Sequence, residues 1–371
     1  MRVEEIHSLD DPRVADYRDV KDADLLEKSN LFMTEGRLGV RRLIADSRFR
    51  ARSVFVTKAA LLGLSDVFTE LGDETRIYLA SQKLLGEVVG YNMHRGCLAA
   101  AERGAPLSAD EILARISPHP STADAHLRTL TRGTQGRCGR AESRRRAERG
   151  GPGFARAGTT RPGVRLLDVP TGTPPGGALR KESEYPEISR QSANLNALAT
   201  RRGEKGGLAR CATGRRLLVV LEDVTNPDNV GSVFRNARAF GADGVFLTPR
   251  CTDPLYRKAV RVSMGGTLQL PFAQVESCAR AFEALRTAGF AVVAFTPEPA
   301  AQPLEEAALH LACTERVALA FGTEEAGLSA AALAAADVRA RIAMAPGVDS
   351  LNVATASGIA LHRFAKLAGA G

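Results

Sequence analysis

The chain has 371 residues, of which 44% are hydrophobic and 25% are charged, the proportions of an ordinary globular protein of about two domains. No apolar run approaches the length of a membrane span, and the acidic N-terminus lacks the apolar stretch of a signal peptide, so neither is expected. The six cysteines include no Cys-x-x-Cys pair, which argues against a zinc site or a disulfide framework and makes the cytoplasm the expected compartment.

The net charge of +8 is concentrated in one segment. Residues 115–216 hold 21 Lys and Arg against 8 Asp and Glu. Residues 1–114 hold 16 against 19, and residues 217–371 hold 13 against 15. An argument from basic charge to nucleic-acid binding therefore concerns the middle segment alone.

Residues 1–114 predict a small α/β domain. Short β-branched or apolar runs bounded by polar residues indicate strands, and longer amphipathic runs indicate helices. Two basic pairs, Arg41 with Arg42 and His94 with Arg95, are interpreted as solvated surface, because basic side chains are usually exposed. Helices are predicted over residues 24–28, 37–45, 83–89 and 105–114, and strands over residues 53–57, 76–80 and 96–101.

Residues 115–216 predict a long disordered linker. Arg, Gly and Pro dominate, and the only large aromatic residues are Phe154 and Tyr185, so the segment cannot bury enough apolar surface to offset its ordering entropy. Two interpretations compete: a basic arm that binds RNA phosphates, or an insertion without a selected role. The scarcity of aromatic residues favours the second, because single-stranded RNA grooves interleave aromatic rings with charge.

Residues 217–371 alternate strands and helices. This pattern predicts a mostly parallel sheet covered on both faces, with ligands at the carboxyl ends of the strands. Strands are predicted over residues 217–221, 244–247, 268–270, 290–295, 317–321 and 341–344, and helices over residues 230–240, 254–262, 276–287, 329–335 and from 350 to about 366.

Three polar loops follow predicted strands of this domain. In the first, Asn229 is a candidate helix cap, and Arg235 is a candidate phosphate clamp, since its planar fork binds two oxygens at once. In the second, Gly322 is expected to let a ligand approach the backbone, and Glu324 offers a carboxylate to a cation or a hydroxyl. Each of these loops alone has an equally good structural explanation. Arg235 could be an ordinary exposed residue of a helix, and Glu324 could be an acidic residue that the helix dipole favours at a helix start.

The third loop opens the last helix. Ser350 is its candidate N-cap, and Asn352 lies one step inside. Residues 350–361 are mostly small or apolar, which indicates that another backbone approaches this helix closely.

In this order, the three loops resemble the motifs of the SpoU (TrmH-type) branch of the SPOUT RNA methyltransferases. The resemblance covers residues 217–367, with Ala343 and Ala354 at positions where the family usually has Pro and Ser. Residues 1–100 are similar, less specifically, to the ribosomal protein L30e fold of a substrate-binding domain. The matching residues are 226–231 with Arg235, 321–324 with 327–328, 342–344 with 350–353, and, in the first domain, Glu35 with Gly36 and His94 with Arg95 and Gly96.

The resemblance implies an α/β fold with a deep C-terminal trefoil knot, a rare exception to unknotted topology. It implies S-adenosylmethionine as the cofactor and a homodimer through the C-terminal domain, with the active site at the interface. The absence of a Gly-x-Gly-x-x-Gly loop after the first strand of this domain agrees, because the ordinary Rossmann-type methyltransferase loop is missing. The residues implied to contact the cofactor are Thr296, Gly322, Ile342, Met344 and Leu351.

The implied reaction is methylation of a ribose 2′-hydroxyl of RNA. The family gives the central role to the residue matching Arg235, as a base or as a cation that binds phosphate and the developing alkoxide, and the second is physically easier because arginine keeps its proton. Asn229, Ser350 and Asn352 would position Arg235 and the ribose, and Glu324 would hold the hydroxyl or its partner.

The substrate is expected to be ribosomal RNA rather than tRNA, because of the L30e-like first domain. A catalytically inactive RNA-binding protein is the alternative from another class, and the presence of all five candidate catalytic residues argues against it. A base-modifying SPOUT enzyme is a further alternative, but it would need an acid–base carboxylate elsewhere. No membrane partner is expected.

Overall fold

The computed structural model describes residues 3–18, 22–90, 96–116 and 215–365. Nearly all of the predicted linker, together with His94 and Arg95, therefore lies outside the described residues. Within these ranges, no helix is long and apolar enough to cross a membrane.

The front module, residues 3–107, is built on a five-stranded mixed sheet. Its strand order is β1-β4-β3-β5-β2, in which β1 and β3 run parallel to β4 while β5 runs antiparallel to both β3 and β2. The sequence predicted β3, β4 and β5 but missed the short β1 and the buried β2. The strands are β1 Val3–Glu5, β2 Leu31–Glu35, β3 Arg50–Val56, β4 Arg76–Leu79 and β5 Cys97–Glu102.

Helices cover both faces of this sheet. Thr57 and Ser81 accept hydrogen bonds from backbone N–H groups at the starts of the helices that follow them, as N-cap residues do. The predicted helices over residues 24–28, 37–45 and 83–89 are confirmed, and two short ones were missed. The helices are α1 Asp22–Ser29, α2 Gly36–Ala45, α3 Lys58–Gly63, α4 Ser65–Phe68 and α5 Gln82–Val89, preceded by a 3₁₀ helix over Pro12–Tyr17.

The C-terminal module, residues 215–365, is built on a seven-stranded sheet in which every pair of neighbours is parallel. The order is β10-β12-β9-β11-β6-β7-β8, and the central strands are almost wholly buried, as a sheet covered on both faces requires. The predicted α/β class is confirmed. The strands are β6 Arg216–Leu221, β7 Gly244–Leu247, β8 Phe272–Gln274, β9 Ala291–Phe295, β10 Gln302–Pro303, β11 Arg316–Phe321 and β12 Val338–Arg341.

The helices of this module pack on the two faces of its sheet. The C-terminal trefoil knot stays a prediction that rests on the family resemblance. α6, which precedes the undescribed segment, also packs here: Ile112, Leu113 and Ile116 are buried in a core cluster shared with β6, β8 and the helix over residues 278–287. The helices are α6 Ala109–Ile116, α7 Pro227–Ala239, α8 Arg257–Val262, α9 Gly266–Gln269, α10 Cys278–Thr287, α11 Leu304–His310, α12 Ala330–Ala335 and α13 Val353–Phe364.

Two predicted strands were wrong in position. Residues 268–270 lie in and just after the helical turn α9, which begins after Gly265, and the strand starts only at Phe272, beyond Pro271. The strand predicted over residues 341–344 ends at Arg341 instead. It pairs with β9 through residues 338–340, and residues 342–344 continue past the edge of the sheet.

The two modules meet along a continuous seam. One hydrophobic core cluster contains residues of both, and Leu107 forms a parallel bridge to Ala273. Two ion pairs cross the seam, Arg103 to Asp253 at 2.6 Å and Arg257 to Asp22 at 2.8 Å. All four of these side chains are partly buried, so solvent screens these pairs less than it screens fully exposed ones.

Candidate active site

A cavity of about 560 Å³ opens at the carboxyl ends of β9 and β11. Thr296 and Gly322 are the first residues after these two neighbouring parallel strands, so the chain direction alone brings them to one edge of the sheet. The segments that follow β12 close the cavity. Of the residues predicted to contact a cofactor, all line it: Thr296, Gly322, Ile342, Met344 and Leu351.

The lining of the cavity combines apolar side chains with backbone. The rings of Phe295 and Phe321 stack with their centroids 4.9 Å apart and their planes 12° from parallel. Leu328 and Leu333 add aliphatic surface next to Ile342. Such a lining suits a planar aromatic group, and the volume is within the usual range of small-molecule sites.

Carboxylates are the charged groups of this lining. Glu298, Glu324, Glu325 and Asp349 are all found there. Of these four, only Glu324 was predicted from the sequence to belong to the site. Glu298 could have been found by the same rule that found Thr296, since it follows the same strand end.

Gly322 has a structural reason that the sequence did not reveal. The loop after it closes on itself, with Thr323 N–H donating to Gly327 O at 3.0 Å and Gly327 N–H donating to Thr323 O at 3.1 Å. A Cβ atom at Gly322 would lie 2.0 Å from the Gly327 backbone, so only glycine permits this closure. The observed close approach is to the loop's own backbone. The Gly322 backbone also lines the cavity, where the approach of a ligand stays a prediction.

A polar network joins the three predicted loops. The amide of Asn229 donates to Oε1 of Glu324, and Nδ2 of Asn352 donates to the same oxygen at 2.7 Å and to Oδ1 of Asn229 at 3.1 Å. Asn229 is only 6% exposed, so its amide needs these partners. The network of Asn229, Glu324 and Asn352, hereafter the amide–carboxylate network, fixes the start of α7 against the loop after β11 and the start of α13.

Both predicted helix caps were placed at the wrong residue. Asn226, not Asn229, caps α7, accepting from Asp228 N–H at 2.9 Å, with Pro227 at the first helical position. Asn352, not Ser350, caps α13, accepting from Ala354 N–H at 2.9 Å. Ser350 is exposed on the wall of the cavity, which leaves its hydroxyl available to a ligand.

The small residues of the last helix were predicted to admit another backbone, and the structure places a side chain of α7 there instead. Asn236 of α7 donates to the carbonyl of Ala354 at 2.7 Å and to Oγ of Ser357 at 3.2 Å. A Cβ atom at Gly358 would lie 3.2 Å from the Asn236 amide. The small residues therefore admit a polar side chain of α7 against the backbone of α13.

Arg235 is the candidate that the structure does not bring to the network. With about 3.6 residues per helical turn, positions 229 and 235 of α7 face different sides. Arg235 is exposed and is not among the residues that line the cavity. Within the described parts of the chain, no hydrogen bond or ion pair links its guanidinium to Asn229, Glu324, Ser350 or Asn352.

The chain is similar to known RNA methyltransferases. Residues 216–362 match the model of the SpoU rRNA Methylase family. A Mycobacterium bovis protein named as an uncharacterized tRNA/rRNA methyltransferase is 30% identical over 97% of this chain and 91% of its own length. The 23S rRNA (guanosine-2′-O-)-methyltransferase RlmB of a Burkholderia species is 33% identical over 47% of this chain and 74% of its own. An rRNA methyltransferase crystal structure from Sinorhizobium meliloti, at 18% identity, has the same fold, with a TM-score of 0.60 over 98% of this chain and 97% of that one.

Proposed function

Because this chain belongs to the SpoU family of RNA methyltransferases, whose methyl donor is S-adenosylmethionine, we propose that it methylates a ribose 2′-hydroxyl of RNA. The observation that carries the proposal is the amide–carboxylate network, which holds the three family motifs together at the cavity. The RlmB relative, which is named as a guanosine-2′-O-methyltransferase, supports the choice of the ribose oxygen over a base.

The cavity fits the methyl donor by its chemistry. The apolar side chains of the lining, among them Leu333 and Ile342, suit an adenine ring. Carboxylates such as Glu298 and Asp349 suit a ligand that carries a sulfonium and an ammonium group. We propose that Thr296, Gly322, Ile342, Met344 and Leu351 hold this ligand, which supplies an electrophilic methyl group when bound.

The other half of the reaction falls to polar side chains of the chain. A ribose hydroxyl is a poor nucleophile at neutral pH and has to be aligned while its developing negative charge is stabilised. Both amides of the network bond to Oε1 of Glu324, so Oε2 is available to accept from the hydroxyl. Ser350 and Asn352 would position the ribose. Arg235 would bind the neighbouring phosphate and the incipient alkoxide as a cation that keeps its proton.

The separation of Arg235 from the cavity supports a homodimer as the active form. An exposed Arg235 that does not line its own cavity can act on the cavity of a second copy. Ile359 of α13 is 39% exposed and offers an apolar contact on the helix that packs against α7. We propose that two copies associate through α7 and α13, so that Arg235 of each copy completes the site of the other.

Subunit mixing tests this arrangement. Neither Arg235→Ala nor Glu324→Ala alone should be active. If Arg235 acts across the dimer, unfolding and refolding the two variants together should restore partial activity, because a mixed dimer keeps one intact site. If the mixture stays as inactive as its components, Arg235 acts within its own chain or not at all.

The substrate that we propose is ribosomal RNA, bound through the front module. Support comes from the RlmB relative and from the resemblance of residues 1–100 to a substrate-binding domain. A transfer RNA is the second candidate, because the near full-length relative is named as a tRNA/rRNA methyltransferase. The choice is made by giving the protein each RNA separately.

The deciding experiment uses the full chain, S-adenosylmethionine labelled in its methyl group, and unmodified ribosomal RNA and tRNA in separate reactions. We expect label in ribosomal RNA at one nucleotide, resistant to alkaline cleavage on its 3′ side as a 2′-O-methyl group is. A substrate with 2′-deoxyribose at that nucleotide should accept no label, because the reacting hydroxyl is missing. Label on a base would contradict the proposal.

A further inference from the structure

The front module places one arginine beside the helix that carries Arg235. Arg42 of α2 reaches across the seam, and its guanidinium donates to the carbonyl oxygen of Met264. The receiving turn is left-handed at two successive residues, with φ of 54° at Met264 and 80° at Gly265. A Cβ atom at Gly265 would lie 2.9 Å from Cδ of Arg42, so glycine makes room for this side chain.

The same turn lies against α7. A Cβ atom at Gly266 would lie 3.3 Å from the carbonyl oxygen of Phe234, the residue immediately before Arg235. Arg238 lies three residues after Arg235, on the same side of the helix. Arg42, Arg235 and Arg238, hereafter the arginine cluster, are therefore grouped around one backbone turn, although they come from both modules.

The positive charge of the arginine cluster is poorly compensated inside the protein. Asp46, the carboxylate that attracts Arg42, also accepts from Gln269 at 3.2 Å. Among the described residues, no ion pair neutralises Arg235 or Arg238, and both are exposed. Burial, followed by repulsion from Arg238 and a smaller repulsion from Arg235, lowers the pKa of Arg42. Neighbouring guanidinium groups that lack carboxylates are the arrangement that binds phosphate oxygens.

We propose that the arginine cluster is a binding site for the RNA backbone, in which Arg42 of the front module and Arg238 hold a phosphate next to the one bound by Arg235. This inference rests on the proposed function, because it names further groups that position the RNA for the same reaction. Its consequence is specific. The front module contributes a charge near the side of α7 that carries Arg235 and Arg238, and its contact with Met264 sets the position of that charge.

The test is the salt dependence of RNA binding by the full chain. The probe is a fluorescein-labelled single-stranded RNA of mixed sequence, followed by fluorescence anisotropy between low and moderate potassium chloride. For single strands, each neutralised phosphate contributes about 0.7 to the slope of log affinity against log salt. We expect Arg42→Gln and Arg238→Gln each to weaken binding severalfold at low salt and to reduce the slope by about that amount.

Arg41→Gln is the matched control. Arg41 precedes Arg42 on α2 and carries the same charge, but its guanidinium bonds both carboxylate oxygens of Asp66 inside the front module. The slope should stay at the wild-type value in this variant. Affinity for S-adenosylmethionine, measured by calorimetry, should be unchanged in all three variants, because none of these residues lines the cavity.

The outcomes separate this inference from the proposed function. Wild-type slopes in both Arg42→Gln and Arg238→Gln, in a protein that still methylates ribose, overturn the inference alone. Reduced slopes in a protein that methylates no ribose overturn the proposed function alone. If Arg42→Gln also lowers the melting temperature, its hydrogen bond to Met264 has been lost as well. Arg238→Gln then decides, since no described hydrogen bond or ion pair of Arg238 crosses the seam.

Discussion

The two polar clusters that include residues of α7 differ in whether groups of the protein itself neutralise their charge. In the amide–carboxylate network, Glu324 accepts from both Asn229 and Asn352, so polar groups of the protein satisfy one another. In the arginine cluster, Arg42 donates to one carbonyl, and no described carboxylate pairs with the other two guanidinium groups. The first arrangement stabilises the shape of the cavity, and the second leaves positive charge for an anion from outside.

This difference predicts different consequences of mutation. Removing a member of the network leaves a buried partner unsatisfied and should change stability and the shape of the cavity. Removing a member of the arginine cluster relieves repulsion and should leave the fold intact while weakening the interaction with RNA. A network variant of unchanged stability, or an arginine-cluster variant that unfolds, would contradict this distinction between the two clusters.

The largest effect is expected for Arg235→Ala. Methylation should fall by a factor of roughly 10² or more, as when a single electrostatic donor to a transition state is removed. The melting temperature and the affinity for S-adenosylmethionine should stay at the wild-type values, because Arg235 is exposed and does not line the cavity. Methyl incorporation and calorimetry measure the two quantities. Arg280→Ala, an exposed arginine on α10 paired only with Glu283 in the described structure, is the control. Near-normal methylation by Arg235→Ala would end its assignment to the reaction.

Gly322→Ala should have the next largest effect. Its Cβ would lie 2.0 Å from the Gly327 backbone, so the loop would have to shift, at a cost of about 1 to 3 kcal/mol. We expect a lower melting temperature and weaker binding of S-adenosylmethionine. Gly327→Ala in the same loop is the control: it has a φ of 67° but nothing within 4 Å of its Cβ, so only backbone strain opposes it. An equal loss in both variants would show that strain, not collision, governs this loop.

Glu324→Ala should have a smaller effect on stability. It removes the acceptor of the Asn229 and Asn352 amides and should lower the free energy of unfolding by about 1 kcal/mol, because the exposed side of the network admits water in its place. Urea denaturation measures the change. Glu324→Gln retains an acceptor oxygen and should lose less. Glu325→Ala, its exposed neighbour, should leave the stability unchanged. Equal stability of Glu324→Ala and Glu325→Ala would remove the structural role from the network.

Much of the C-terminal module and its cavity could be predicted from the sequence, because both follow from short-range rules. Strand–helix alternation gives a parallel sheet, and residues that follow strand ends, such as Thr296 and Gly322, meet at one edge. The boundaries were less predictable. Apolar residues 342–344 look like a strand, and only pairing with β9 shows that they lie beyond the sheet. The α7 cap was within reach, because Pro227 prefers the first helical position, which makes Asn226 the cap.

The arginine cluster could not be predicted, because it depends on long-range packing. Arg42 was interpreted as solvated surface, and it is the docking of α2 against the Met264–Gly265 turn that gives it a neighbour on α7. By contrast, the separation of Arg235 from Asn229 follows from helix geometry once both are placed on one helix. The candidate residues of α7 could therefore be predicted from the sequence, but their neighbour Arg42 in the front module could not.

The smallest effect is expected for the ion pair of Arg41 with Asp66. Arg41 is next to Arg42 on α2, but its charge is neutralised by a carboxylate. The hydrogen bond from Arg41 holds the pKa of Asp66 below its usual value. The ion pair therefore stabilises the fold above the unfolded-state pKa of aspartate, and this contribution is lost as the pH falls through the lowered folded-state pKa. Asp66→Asn should lower the melting temperature slightly at pH 7, and the difference from wild type should shrink in acid. Asp73→Asn, at an exposed aspartate with no ion pair among the described residues, is the control and should leave the melting temperature at pH 7 unchanged.

Asp66→Asn also frees Arg41 at neutral pH without moving it into the arginine cluster. If the position of Arg42 beside α7 is what allows it to bind a phosphate, the salt slope of RNA binding should remain at the wild-type value in this variant. A steeper slope would mean that any uncompensated arginine on α2 recruits the RNA backbone. Positive charge alone would then explain RNA binding, and the position of Arg42 at the Met264–Gly265 turn would not matter for it.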